Sequence, residues 1–348
     1  MGYAKGRFVV DTHVHAQRTA VKFKDSNVKP SYAGLAKTMK EGGAEVTPLD
    51  NSARLLYDME RYGVDMCVIQ PAFAMTNEIN AELVKKYPDK FIAMCSDVET
   101  EKKAVRGEQK WTIEAACKEL DDLLSTGLYK GGIGEGLPSN SAMEKPISWE
   151  ERFEQICQIM EVARKHKVPV SYHTGRGIGY LAARISHAPD WDDPSLALDV
   201  ATAYPDVPII LAHGGMQGWW SEMYIDRTWQ VAAATDNVYL EVGLWWAELF
   251  DKALMDPDIG VKKMLWGSDW GASIAQVYQP GHYPPTYADQ VRAWGLPIHQ
   301  IDVYGWSLRQ LDKLEITQDD LNLILGGNAV RLFGLKTPVS RMFKEYFK

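Results

Sequence analysis

The chain has 348 residues, a formal net charge of −8, 46% hydrophobic and 24% charged residues, which is ordinary for a soluble globular protein and enough for one large core. With a pI near 5.6 and no basic run it is a poor candidate for general nucleic-acid binding, which depends on clustered Lys and Arg. No apolar run approaches bilayer length, and the start, MGYAKGRFVV, lacks the apolar core of a secretory signal, so neither a membrane partner nor export is expected.

Phe8 to Val10 form an apolar first strand that runs into Asp11-Thr12-His13-Val14-His15. Side chains at i and i+2 share a strand face, so His13 and His15 stand side by side, about 7 Å apart along the strand. Residues 16–48 are polar and rich in Gly and Lys, and are read as an active-site loop or lid. Thr47-Pro48 then reads as the cap and first position of a helix running to about Arg61 and stopping near Gly63. Val64–Pro71 is a second strand, 77–87 a helix, Phe91–Cys95 a third strand and Trp111–Ser125 a helix with apolar residues at helical spacing.

Gly131-Gly132-Ile133-Gly134-Glu135-Gly136 is a fourth, Gly-rich strand end, and Ser148-Trp149-Glu150-Glu151 is a capping box opening the next helix. Val168–His173 is a fifth strand, Pro194–Tyr204 a helix, Val207–His213 a sixth strand and 221–234 a helix. Val238–Val242 is a seventh strand, 245–255 a helix and Lys263–Asp269 an eighth strand. Residues 272–316 carry Tyr, Trp, His and Pro without clear periodicity and read as an insertion. A helix from Thr317 to Leu325, an interruption at Gly326-Gly327 and a last segment, Ala329–Leu335, close the chain. Eight strand–helix units with near-continuous apolar strands predict a single α/β domain over 1–348. It is a (β/α)8 TIM barrel with insertions after strands 1 and 8.

Polar residues fall at strand C-terminal ends: His13 and His15 on strand 1, Glu135 on strand 4, His173 on strand 5, His213 on strand 6 and Asp269 on strand 8. In a barrel those ends converge on the face that carries active sites, and imidazole with carboxylate suits a divalent cation. Each has a plainer reading. Glu135 could cap a helix or bind a backbone amide, and His213 or Asp269 could be satisfied structural groups. His166 reads as a surface residue, and His187, His282 and His299 lie in loop-like stretches. Trp219, Trp220 and Trp270 follow ligand-bearing strand ends and could line a pocket for a flat substrate, or pack the barrel against its helices. Arg176 and Arg227 could clamp a substrate carboxylate or form surface ion pairs. Four cysteines without a Cys-x-x-Cys pair read as reduced thiols of a cytoplasmic protein.

Asp11-Thr12-His13-Val14-His15, Tyr172-His173-Thr174, Ala212-His213-Gly214-Gly215, Gly267-Ser268-Asp269-Trp270 and Gly327-Asn328-Ala329-x-Arg331-Leu332-Phe333-Gly334-Leu335 resemble the amidohydrolase superfamily. The likeness is strongest to its amidohydrolase-related branch, which contains aminocarboxymuconate-semialdehyde decarboxylase; Tyr87-Pro88-x-Lys90-Phe91 matches that branch too. The resemblance implies a metal enzyme acting on a small molecule, a homodimer, and one or two divalent ions, zinc first and manganese or iron next. It admits two ligand sets. In a decarboxylase, one ion sits on His13, His15, His173 and Asp269, with His213 as acid/base. In a hydrolase, Glu135 bridges two ions, one on His13, His15 and Asp269 and the other on His173 and His213, and Asp269 takes the proton of the attacking water. The strand-4 Glu departs from the decarboxylases and favours hydrolysis of a small cyclic or aromatic carboxylic acid derivative. A TatD-like nuclease shares the ligand pattern but is disfavoured by the acidic balance. A barrel keeping metal for stability alone is the non-enzymatic alternative.

Overall fold

The apolar runs become strands buried on both faces, as a parallel sheet covered by helices requires. In the computed structural model of the chain, which describes residues 7–25, 38–72, 74–137, 147–175, 193–216, 224–271, 276–278 and 302–336, eleven strands are seen. They are β1 (Val10–Val14), β2 (Gln17–Phe23), β3 (Ala44–Asp50), β4 (Met66–Ile69), β5 (Phe91–Cys95), β6 (Gly132–Leu137), β7 (Val170–His173), β8 (Ile209–Ala212), β9 (Val238–Glu241), β10 (Met264–Leu265) and β11 (Gln276–Tyr278). Eight of them follow one another in parallel as β1-β4-β5-β6-β7-β8-β9-β10. The last is joined to the first by Thr12 N–H donating to Trp266 O (2.9 Å) and His15 N–H donating to Trp270 O (2.8 Å). The expected (β/α)8 barrel is therefore what the chain forms, nearly closed and flanked by helices.

Those helices are α1 (Ser52–Tyr62), α2 (Asn77–Lys86), α3 (Val98–Val105), α4 (Ile113–Ser125), α5 (Trp149–His166), α6 (Leu196–Ala203), α7 (Ile225–Ala234), α8 (Phe250–Met255), α9 (Val303–Leu311), α10 (Gln318–Asn322) and α11 (Asn328–Phe333). Their apolar stripes pack on the outside of the sheet. Val10, Met66, Val68, Met94, Ile210 and Leu265, contributed by five barrel strands, gather instead against Ala329 and Val330 of α11. This apolar layer lies toward the strand starts and leaves the opposite end for polar side chains. Among the described residues the cysteines are free thiols, with Cys67 and Cys95 buried in β4 and β5.

Four expectations are corrected. The stretch 16–48 is not simply a loop: β2 and β3 pair antiparallel from Gln17–Asp50 to Phe23–Ala44, and β11 pairs with β2 in the same small sheet. The alternation of β2 places Gln17 and Thr19 among its buried positions, so a polarity pattern does not reveal it. Thr47-Pro48 lies inside β3, an edge strand where Pro is tolerated, and the helix starts at Ser52 before its left-handed cap at Gly63. The insertion 272–316 holds a helix, α9. Gly326-Gly327 does not interrupt the last helical segment; a wide turn at Leu323–Gly327 carries α10 into α11. A Cβ at Gly326 would stand 1.8 Å from Phe8 O, so the glycine is there for close approach to the entry of β1.

Candidate metal centre

Five strand ends deliver the six residues of the polar cluster. His13 and His15 leave β1 on one face with their Nε2 atoms 3.2 Å apart. From His13 Nε2, Glu135 Oε2 lies at 3.4 Å and Asp269 Oδ1 at 3.6 Å. From His15 Nε2, Asp269 Oδ1 lies at 3.3 Å and Glu135 Oε2 at 3.6 Å. The other Glu135 oxygen, Oε1, lies 2.9 Å from His213 Nε2, and the His213 ring stands edge-on to His173 with centroids 4.9 Å apart. Three groups have ligand atoms within 4.8 Å of one another: His13, His15 and Glu135; Glu135, His173 and His213; and His13, His213 and Glu241. The structure thus brings together every residue expected at the centre, and Glu135 belongs to the first two groups.

Two further carboxylates and one amide hold these side chains, and sequence reasoning assigned a role to none of them. Glu241, the last residue of β9, receives His13 Nδ1 at 2.9 Å (Oε1) and 3.1 Å (Oε2). Asp11 accepts from His13 N–H (3.1 Å), Ser268 N–H (3.0 Å) and Ser268 Oγ–H (2.6 Å). The Gln70 carbonyl accepts from His15 Nδ1 (3.1 Å), and its side-chain oxygen accepts Glu135 N–H (3.0 Å). A carbonyl only accepts, so His15 carries its proton on Nδ1 and turns the Nε2 lone pair into the cluster. A Cβ at Gly267 would meet Glu241 Cδ at 2.5 Å, so only glycine leaves the carboxylate its place. The signal that could have found Glu241 is the one that found the others, a carboxylate ending an apolar strand.

Burial alone would suppress charge here, but the groups charge one another. Desolvation opposes protonation of His13, yet the Glu135 and Glu241 carboxylates hold its pKa well above the ordinary value. Burial would likewise raise Glu135, but the His13 and His213 rings hold it well below the usual range, and against the same opposing effect of burial the His15, His213 and His13 rings lower Asp269. Asp11 is pushed up to about 7 by burial, partly offset by its hydrogen bonds from Ser268 and His13.

These residues fit a divalent cation. Glu135 Oε1, Asp269 Oδ1 and both His213 ring nitrogens are buried without a hydrogen bond of acceptable geometry, although His213 Nε2 and Glu135 Oε1 are only 2.9 Å apart. Buried polar atoms rarely go unpaired, and lone pairs aimed at one point suit a metal. Donors about 2.0–2.2 Å from a tetrahedral ion stand roughly 3.3–3.6 Å from each other. The separations of His13 and His15 from each other and from Glu135 and Asp269 run from 3.2 to 3.6 Å.

Of the proposed substrate contacts, Arg176, Trp219 and Trp220 lie outside the described residues. Arg227 on α7 is half exposed and paired with Asp193. Trp270 is buried, and its indole N–H donates to Asp58 Oδ2 at 3.0 Å.

An eight-stranded parallel barrel with histidines and carboxylates at its C-terminal strand ends defines a class of metal-centred catalysts. The sequence model of the Amidohydrolase family matches residues 10–335, and the chain belongs to that family. Among solved structures it is similar to 2,6-dihydroxybenzoate decarboxylase complexed with 2,6-dihydroxybenzoate (15% identity, TM-score 0.53, covering 95% of this chain and 100% of that one). It is also similar to a probable 2-pyrone-4,6-dicarboxylic acid hydrolase from Acinetobacter baumannii (12% identity, TM-score 0.52, 94% and 99% covered). A third is a TatD family hydrolase from Entamoeba histolytica (12% identity, TM-score 0.52, 94% and 98% covered). At these identities the likeness is one of fold. No curated protein matches the sequence.

Proposed function

We propose that the chain is a metal-dependent hydrolase of a small cyclic or aromatic carboxylic acid derivative: an ester, amide, thioester or lactone. The observation that carries this reading is the placement of Glu135. One of its oxygens faces His13 and His15 and the other faces His213, so a single carboxylate spans two donor groups. His13, His15 and Asp269 would hold one ion, His173 and His213 a second, and Glu135 would serve both. Zinc suits this donor set best, with manganese or iron next. When bound, such ions supply Lewis acidity and a water made nucleophilic near neutral pH. Asp269, facing the two β1 imidazoles, would take the proton of the attacking water and return it to the leaving group. Trp219 and Trp220 after β8, and Arg176 after β7, are proposed to receive the flat, carboxylate-bearing substrate. Arg227 could do so only by leaving Asp193. The hydrolase neighbour from Acinetobacter baumannii has citric acid bound, which is in keeping with an acidic substrate. A cytoplasmic homodimer is the assembly we propose, and sedimentation of the purified protein tests it.

A panel of aromatic and pyrone lactones, aryl esters and hydroxybenzoic acids separates the reactions. Acid release from the lactones or esters, with no carbon dioxide from the hydroxybenzoates, is the expected result. Carbon dioxide release without hydrolysis would contradict the reading and assign His213 the role of acid/base in a decarboxylase.

A further inference from the structure

Glu241 stands at the end of β9, 1% exposed, on the Nδ1 side of His13 and with its ligand atom within 4.8 Å of those of His13 and His213. Its two oxygens take His13 Nδ1 at 2.9 and 3.1 Å, and Oε1 also accepts the backbone N–H of His213 at 3.1 Å. The ring of His213 turns its own Nδ1 toward the same oxygen at 3.9 Å, beyond hydrogen-bond range. His13 and His213 come from opposite donor groups, with ring centroids 5.0 Å apart. A carboxylate that receives an imidazole Nδ1–H fixes the tautomer and the ring plane, leaving Nε2 as the outward donor. The space for it is reserved by glycine: a Cβ at Gly267 would lie 2.5 Å from both Cγ and Cδ of Glu241, and one at Gly214 would lie 2.5 Å from Glu241 O.

We infer that Glu241 is a positioning residue of the metal centre. It holds His13 as the Nδ1–H tautomer and anchors the backbone of His213, so that one buried carboxylate aligns donors of both groups. The inference rests on the reading that the cluster holds a cation, and adds a residue that need not touch it. The role differs from that of Glu135, whose oxygens face the Nε2 atoms, whereas Glu241 acts from the Nδ1 side.

The test is zinc affinity, measured by competition with a chromogenic chelator, for the wild type, Glu241→Gln and Gly267→Ala, each beside the unfolding midpoint of its ion-free form. The first variant keeps the side-chain shape. It should unfold close to the wild-type midpoint but bind zinc roughly 10–100-fold more weakly, the range typical for lost partners of ligating histidines. Gly267→Ala keeps the carboxylate but displaces it, and should weaken binding in the same direction even if Glu241→Gln fails to fold. Affinity within about twofold of wild type in a folded variant would overturn the inference. In the zinc-loaded wild type, nitrogen-15 spectra should place the His13 proton on Nδ1, and a proton on Nε2 would also overturn it. If the wild type itself takes up no zinc, the metal reading fails and the inference with it, an outcome distinct from zinc uptake by the wild type with unchanged affinity in a folded variant.

Discussion

His213 (φ 61°) and Asp269 (φ 52°) sit in the left-handed backbone region, which costs a non-glycine residue on the order of 1–3 kcal/mol. Both end barrel strands, and both aim a buried atom that lacks a hydrogen bond into the cluster. The local fold therefore accepts strain at two positions whose side chains must turn inward. Replacing His213 with Ala removes the donor opposite Glu135 Oε1 without touching the barrel's hydrogen bonds. The variant should keep its far-UV circular dichroism and lose activity by a factor of at least ~10². Retained turnover in the folded variant would remove His213 from either mechanism. All six expected centre residues were legible in the sequence because each interrupts an apolar run with a polar group at a strand end. Glu241 has the same signature, closing Val238-Tyr239-Leu240, but it meets His13 from the Nδ1 side. Asp11 and Gln70 escape for a different reason: each acts by accepting from backbone, hydroxyl or ring donors that the folded barrel brings near.

At the level of elements, the weak point is the seam where an eighth strand of only two residues meets the first. Asn328, at the start of α11, donates from Nδ2 to Val261 O and Met264 O, both at 2.7 Å, and so pins the entry to β10. That is the physical work of the Gly-Asn-Ala segment near the end of the chain, which the sequence shows only as a family resemblance. Asn328→Ala would leave two carbonyls without their donor, and should lower stability by roughly 1–3 kcal/mol in denaturant unfolding. An unchanged midpoint would mean that the seam does not depend on this residue. Helices with clear stripes, such as α4 and α5, could be read directly from spacing, and the side chains of Thr112 and Ser148 cap them as expected of those residues. The pairing of β2 with β3 could not, because the partners are far apart in sequence and the buried face of β2 includes Gln17 and Thr19. Gln17 earns its buried place through hydrogen bonds with Thr76 and Asn80 that no periodicity reports.

Over the whole molecule, the apolar layer against α11 and the polar cluster occupy opposite ends of the barrel. The cluster concentrates like and unlike charges away from water, so a bound cation should stabilise the fold. By mass action, an ion at 100 times its dissociation constant adds about 2.7 kcal/mol. Dialysis against a chelator should accordingly lower the thermal midpoint and zinc should restore it; a midpoint indifferent to both would contradict a metal held by the native state. No described helix is long and apolar enough to cross a membrane. The barrel was legible because eight apolar runs each precede a helix, and the family because its short motifs sit at the ends of those runs. The choice of reaction is not carried by fold, since a hydrolase and a decarboxylase share this barrel at similar distance.

That choice turns on Glu135, and the most direct test is the metal content per chain of protein purified without chelator, for wild type and Glu135→Gln side by side. The account predicts close to two ions in the wild type and one or fewer in the variant. Close to one ion in both would contradict it, leaving Glu135 a bystander and moving the chemistry to decarboxylation with His213 as acid/base.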